Sequence, residues 1–264
     1  MQRTVACSLA ASILEPADVV LSVAVSSSDI VVTERLGVTL DEESVDVEEL
    51  VGDHGARLHV ARDLGPGALA VAYDATTIGR ASSHTVSELD RIIYTRPSRY
   101  CESDRLAAFA KAELRDLRGR QLLDAASSWV GQRIAYVPGA SRSTDGAVAT
   151  LLARQGVCRD FAHLVVALLR SCDVPARVAS VYAPGLQPMD FHAVAEACVD
   201  DEWLVVDPTC LAPRSSMLRI ATGRDAADTA FLTTTGSVEL TSVSVTAVVD
   251  ALPQDDLNDA ATLG

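Results

Sequence analysis

The residues able to do chemistry are few, and their order is informative. Cys158 follows Gly156 by two positions and opens the run GVCRDFAHLVVALLRSCDVPARV (Gly156–Val178). Phe161, Leu164, Val165, Leu168 and Leu169 recur at helical spacing, which predicts a long helix with one buried stripe that stops before Pro175. Cys158 then lies in the first turn, where unpaired N–H groups and the positive end of the helix dipole favour an anion. The thiolate is the nucleophilic form of cysteine. A small buried core residue is the competing fate of a free cysteine, and Cys7, Cys172, Cys198 and Cys210 are assigned to it.

A nucleophilic thiol needs a base, and the base needs an orienting group. His192 starts an alternating segment, FHAVAEACV (Phe191–Val199), after the loop APGLQPMD. Asp207 ends the next segment, EWLVVD (Glu202–Asp207), just before Pro208. The two segments read as a hairpin about Asp200-Asp201. With a two-residue turn, Val199 faces Glu202 and Val194 faces Asp207, so His192 and Asp207 become diagonal neighbours on one face. A three-residue turn would send Asp207 to the other face. His163 shares the cysteine's helix but sits about 140° around it, which predicts a packing or supporting role. His54, His59 and His84 fall in or beside turns and strands and read as structural or solvated.

These residues need elements to hold them. Before residue 96, alternation recurs in Asp18–Ser26, Ile30–Leu40, Ala56–Arg62 and Gly67–Thr76, separated by turn residues. The N-terminal MQRTVACSLAASIL has some signal-peptide character, but its period-2 alternation reads better as a first strand. After Pro97, Asp104–Leu117 and a stretch from Gln121 to about Trp129 read as helices, and Tyr136–Gly146 as loop. Ala176–Tyr182 and Val238–Val249 read as strands. The expected organisation is α+β: an N-terminal antiparallel β domain (1–96), a catalytic domain (97–250) and a disordered acidic tail (251–264).

Composition narrows the function classes. The 264 residues carry a formal charge of −14, and the basic residues are all arginine except Lys111. That balance argues against nucleic acid or an anionic membrane surface as partner. No apolar run is long enough to span a bilayer. Six cysteines are too sparse for a disulfide scaffold, so they are expected reduced and the protein cytoplasmic.

Three segments resemble the transglutaminase-like superfamily, in particular bacterial proteins described as cysteine proteases: Gly156–Val178, DFHAVAEACVDDEWLVVDPT (Asp190–Thr209) and TRPSRYCESDRLAAFA (Thr95–Ala110). YVPGAS (Tyr136–Ser141) and GRDAADTAF (Gly223–Phe231) are also similar. The resemblance implies a papain-like core, with the cysteine helix packed on an antiparallel sheet. It implies Cys158 as nucleophile, His192 as base and Asp207 as its orienting group. One departure is Val194, where family members often carry an aromatic after the histidine–alanine pair; it could alter a pocket wall.

The expected reaction is acyl transfer on an amide or peptide bond through a thioester. The Cys158 N–H is one oxyanion donor, and the Tyr136 phenol is the candidate second. Resolution by water, making a cysteine protease or amidase, is favoured over an amine acceptor, making a transglutaminase. A catalytically silent peptide-binding module is the alternative outside enzymology. A metal site from Cys158, His192 and Cys210 has no supporting CxxC or HxxxH spacing. No cofactor is expected, and the expected partner is a peptide or protein substrate. Arg159 and Asp160 read as structural, paired with each other or with the sheet, and Trp203 as core.

Overall fold

The computed structural model describes residues 1–255 and 259–263. The chain begins with strands β1 (Gln2–Ile13), β2 (Ala17–Leu21), β3 (Val31–Leu40), β4 (Glu43–Ser44), β5 (Glu48–Val51), β6 (Arg57–Leu64) and β7 (Gly67–Ile78). The alternation seen at the N-terminus is a strand: Arg3, Val5, Cys7, Leu9, Ala11 and Ile13 of β1 all point inward. Helices α1 (Glu88–Ile93), α2 (Ser103–Glu113) and α3 (Gly119–Arg133) follow, then β8 (Ala135–Tyr136), α4 (Ala147–Ala153) and β9 (Gln155–Gly156). The expected cysteine helix is α5 (Cys158–Arg170). Beyond it come β10 (Ala176–Tyr182), β11 (His192–Val199), β12 (Glu202–Val206), β13 (Leu218–Gly223), α6 (Ala226–Thr229), β14 (Leu232–Thr235) and β15 (Val238–Val249).

Strand pairing runs across the expected division at residues 96 and 250. One sheet has the order β15-β1-β7-β3-β4, and a second has the order β14-β2-β6-β5. The β unit is therefore closed by both ends of the chain. The edge of β1 would otherwise present unpaired backbone groups; β15 satisfies them along its length, from Arg3 opposite Val249 to Ile13 opposite Val238. Val5, Leu9 and Val71 from one sheet share a core with Val19, Leu21 and Ala61 from the other.

A third sheet, β12-β11-β10-β13, carries the helical layer. Small side chains on one face of β11, Ala195 and Ala197, let α5 pack against it, together with Val178, Leu204 and Val206. Leu122 and Val130 of α3 and Leu106 of α2 close the other side of α5.

The tail expected to be disordered is ordered wherever it is described; residues 256–258 and 264 lie outside the described part. The Val205 N–H donates to the Ala261 carbonyl at 2.7 Å, covering the edge of β12. Asp255 accepts from the Arg214 backbone at 2.9 Å and from its guanidinium at 2.8 Å. Ala261 and Leu263 are buried against Val194 and Val205. Two apolar side chains and a matched ion pair thus outweigh the acidic composition that suggested disorder.

Candidate active site

The hairpin that carries His192 and Asp207 has the even register. Val199 pairs with Glu202 and Ala195 with Val206, so Asp207 falls beside Val194. Asp200 and Asp201 make the tight turn with φ of 51° and 65°, the left-handed pair that a two-residue hairpin loop requires and that Asp tolerates. His192 Nε2 consequently lies 2.9 Å from Asp207 Oδ2, and both side chains are buried.

The other carboxylate oxygen, Oδ1, accepts from the Thr209 N–H at 2.9 Å and the Thr209 hydroxyl at 2.7 Å. Thr209 was not singled out from sequence, although the run Asp-Pro-Thr carries the signal of a side chain capping its own turn. Gly131 of α3 seats this turn, because a Cβ there would meet the Pro208 carbonyl at 2.9 Å. Burial favours a neutral Asp207, but His192 and Thr209 outweigh it and hold the carboxyl below its ordinary range.

Cys158 is the first residue of α5, with Val157 as its N-cap. Asp160 shapes this entry. Its Oδ2 accepts from the Val157 N–H at 2.8 Å, and its Oδ1 accepts from Arg159 at 2.9 Å. Of the two pairings expected, Arg159 and Asp160 thus take the one with each other. Gly156 permits the arrangement, since a Cβ on it would stand 2.7 Å from Asp160 Cβ and 2.8 Å from its Oδ2.

With Nε2 committed to Asp207, only Nδ1 of His192 is left for the thiol. Nδ1 is buried without a conventional partner among the described residues. The imidazole nevertheless feels both the thiol and its charge. Burial alone would lower the His192 pKa, but the hydrogen bond and charge of Asp207, and then Cys158, outweigh it and push it up to about 10.

Tyr136 reaches the same place by a route the sequence did not reveal. The two-residue parallel bridge of β8 with β9 sets Tyr136 beside Gly156, two residues before Cys158. Burial, then the Cys158 charge, pushes the phenol up to about 12, so it keeps its proton near neutral pH.

The remaining candidates separate from this group. His163 is buried under the Tyr100 ring, with centroids 5.4 Å apart. Its Nε2 accepts from the Ala226 N–H at 3.1 Å, and burial lowers its pKa to about 4. It is a neutral support for α6. His59 meets Glu49 at 3.1 Å, His54 meets Asp90 at 2.9 Å, and His84 lies 3.4 Å from Arg177. Val194 is buried in a separate cluster with Ala179 and Val205 rather than in a pocket wall. Trp203 is core, with the Arg177 guanidinium 3.9 Å above its ring. Cys7 and Cys198 are buried and Cys172 is half-buried, but Cys210 is exposed. It sits beyond Pro208 in a left-handed conformation, φ 52°, which turns it out of the core. Among the described residues, no three His, Cys, Asp or Glu side chains converge as metal ligands.

A cavity of about 610 Å³ opens directly beside Cys158 and His192. Its walls include Phe191, Ile220, Phe231 and Leu232, none of which was singled out from sequence. The placement of Phe191 immediately before His192 was the available signal.

A helix that opens on Cys158, packed on an antiparallel sheet that carries His192 and leads into Asp207, is the papain-like class of fold. Residues 104–208 match the family model described as the Transglutaminase-like superfamily, and the chain carries a transglutaminase-like core. Across 100% of this chain and 96% of the other, it superposes with a TM-score of 0.88 and 29% identity on a solved structure named "a Putative Cysteine Protease from Cytophaga hutchinsonii". An uncharacterized protein of Mycobacterium leprae (strain TN) is 30% identical over 102 residues, 38% of this chain and 36% of that protein, so the match spans about a third of the relative's length. The periplasmic domain of TgpA from Pseudomonas aeruginosa, solved with ethylmercury bound, is 20% identical with a TM-score of 0.42, over 76% of this chain and 75% of that one. Among the described residues, no helix is long and apolar enough to cross a membrane.

Proposed function

We propose that this protein is a thiol-dependent acyl-transfer enzyme that cleaves amide or peptide bonds, a cysteine protease or amidase. The observation that carries the reading is His192, held by Asp207 at 2.9 Å through Nε2 with Nδ1 left for Cys158. That arrangement stores the working proton where the leaving group needs it.

In the first step the Cys158 thiolate attacks the carbonyl carbon. The S–C bond forms and the carbonyl electron pair moves to oxygen. The Cys158 N–H and the Tyr136 phenol are the donors for that oxyanion. Protonated His192 then gives its Nδ1 proton to the amide nitrogen as the C–N bond breaks, leaving a thioester and an amine. In the second step neutral His192 takes a proton from water as the water attacks the thioester. Collapse breaks the S–C bond and restores the thiolate–imidazolium pair. Asp207 keeps its charge throughout and stabilises the imidazolium. Water is favoured as acceptor because it needs no second binding site.

The test is site-resolved alkylation by iodoacetamide across pH, in wild type and His192→Ala, read by mass spectrometry. Cys210, exposed, is the reference in the same molecule. The expected result is Cys158 reacting well ahead of Cys210 at pH 6–7, and losing most of that lead in His192→Ala. A Cys158 that is inert, or that matches Cys210 in both proteins, refutes the reading. Product mass then distinguishes acceptors, since water yields a free carboxylate and an added amine yields a new amide.

A further inference from the structure

We propose that the cavity beside Cys158 is a subsite for a large apolar side chain, aromatic or branched aliphatic, on the acyl side of the scissile bond, and that the β unit exists in part to complete it. The inference rests on the reading of Cys158 as nucleophile.

The cavity lies where the two cores meet. Val178 belongs to the core beneath α5, and Ile220 to the core of the β sandwich. Phe191 and Phe231 stack at 5.0 Å between ring centroids, and a third ring, Tyr182, lies 5.6 Å from Phe191. Ser22 just after β2 and Leu232 and Thr233 on β14 bring the sandwich to the wall. Neither end of the chain alone builds this wall, because β2 and β14 are adjacent strands drawn from opposite ends.

The chemistry of the lining selects the ligand. Beyond Cys158 and His192, the charged side chains of the wall are Arg159 and Asp190. Arg159 is already engaged by Asp160, Ser141 and the Arg142 carbonyl. Asp190 is exposed at the mouth and accepts its neighbour's N–H at 2.7 Å. A charged side chain pushed past them would be desolvated without a partner, which is costly. An apolar one would exchange water for aromatic and aliphatic surface. At about 610 Å³ the space exceeds one side chain and admits the adjoining backbone. A smaller cleft of about 390 Å³ behind Asp207 offers no comparable case: Arg120, Asp124, Gln132 and Arg214 make its wall polar, and the thiol that borders it is Cys210 rather than Cys158.

The acyl half of a substrate stays bonded to Cys158 through both steps, so a pocket adjoining the sulfur serves that half. The test uses dipeptidyl chloromethyl ketones, in which the Cys158 S–C bond forms as C–Cl breaks and chloride leaves. N-acetyl-Gly-Gly, -Phe-Gly, -Gly-Phe and -Gly-Asp reagents are compared with iodoacetamide, and Cys158 modification is read by mass spectrometry. One Phe reagent is expected to react at least about tenfold faster than Gly-Gly, the size of effect that burying one aromatic side chain supplies, and the Asp reagent more slowly than Gly-Gly. The Phe-to-Gly ratio should collapse in Ala230→Trp, which fills the cavity, and shrink in Phe231→Ala. It should persist in Leu152→Ala, a change at an exposed residue of α4. If Cys158 reacts readily with iodoacetamide but neither Phe position gives an advantage, the subsite is refuted while the thiol chemistry stands. If Cys158 resists iodoacetamide as well, the catalytic reading itself has failed. The wild-type ratio decides the question even if a variant does not fold.

Discussion

Replacing Asp207 with asparagine changes one atom and tests how the site is wired. The Asp207 carboxylate accepts three hydrogen bonds, one from His192 and two from Thr209. The amide that replaces it can offer only one oxygen. If that oxygen serves His192, the amide NH₂ confronts two Thr209 donors. If it serves Thr209, the NH₂ faces His192 Nε2, and the ring must carry its proton on Nδ1 instead. Either the carboxylate anchor or the base position facing Cys158 is lost. The charge is lost in both cases. In the wild type, burial opposes the imidazolium, yet Asp207 and Cys158 together raise the His192 pKa from 6.5 to about 10. That corresponds to a preference for the charged form on the order of 5 kcal/mol. An opposite charge in contact typically accounts for about 1–3 pKa units, so Asp207→Asn should bring His192 down from about 10 to about 7–9. The assay is a ¹³C NMR titration of the histidine ring carbons, with His192 assigned from His192→Ala. His163, lowered to about 4 by burial, serves as a neutral internal reference. Stability provides a second readout. Because the His192 pKa is raised on folding, its contribution is fully present below 6.5 and is lost as pH rises toward 10. The wild type should therefore lose unfolding free energy between about pH 7 and 10, and Asp207→Asn should lose less over that window. An Asp207→Asn imidazole that titrates where the wild-type one does would refute the wiring.

Four further outcomes can be checked. Tyr136→Phe should slow acylation by an activated ester on the order of 10²-fold or more, as loss of an oxyanion donor does, yet leave iodoacetamide alkylation little changed, since no oxyanion forms there; equal effects on both would remove Tyr136 from that role. Gly156→Ala should cost about 1–3 kcal/mol in urea unfolding by forcing Asp160 off the α5 entry, with Cys158 alkylation slowed in parallel. Thr209→Val, by removing the hydroxyl and leaving the backbone N–H as the one remaining residue-209 donor to Asp207 Oδ1, should shift the His192 titration less than Asp207→Asn does, and an unshifted titration would limit Thr209 to the turn. Glu196→Gln should destabilise by about 3–5 kcal/mol, because it leaves Arg177 and Arg219 buried without a counter-charge. Burial opposes the Glu196 charge, but the two arginines lower its pKa from 4.5 to about 2. Its stabilisation is thus complete above 4.5 and lost as pH falls toward 2, a loss that acid denaturation of Glu196→Gln should lack.

What could be read from the sequence was whatever depends on local period and spacing. The α5 stripe, the β10 strand and the Asp200-Asp201 turn follow from short patterns, and the turn's parity alone brought His192 to Asp207. What escaped depends on partners distant in the chain. The bridge that sets Tyr136 beside Gly156 is only two residues long on each side and has no periodicity to detect. Strands β13 and β14 are short, and the assignment of β15 to β1 is a pairing across more than two hundred residues that no local signal encodes. The tail looked disordered because Asp255 was seen without Arg214. The cavity escaped for the same reason, since its wall joins Ser22 to Leu232 only once β2 and β14 are paired.

The register that joins His192 to Asp207 is fixed by a feature outside the candidate site. Arg177 on β10 stands directly opposite Glu196 on β11, with Nε to Oε2 at 2.8 Å, and Arg219 from β13 closes on both oxygens of the same carboxylate at 2.7 Å. Buried ion pairs contribute little net stability, because desolvation offsets attraction, but an unpaired buried charge is severely disfavoured. The alternating face of β11 makes this a strict condition. A slip of one residue would turn Glu196 toward the alanine face that packs on α5, leaving two arginines unmatched on the other. The same slip would move His192 away from its place opposite Val181 and break the diagonal to Asp207. Uniform apolar strands such as Ala-Val-Ala could tolerate neighbouring registers at small cost. One carboxylate gripped from both flanking strands cannot, so the register that places the imidazole between thiol and carboxylate is the one in which every buried charge is matched.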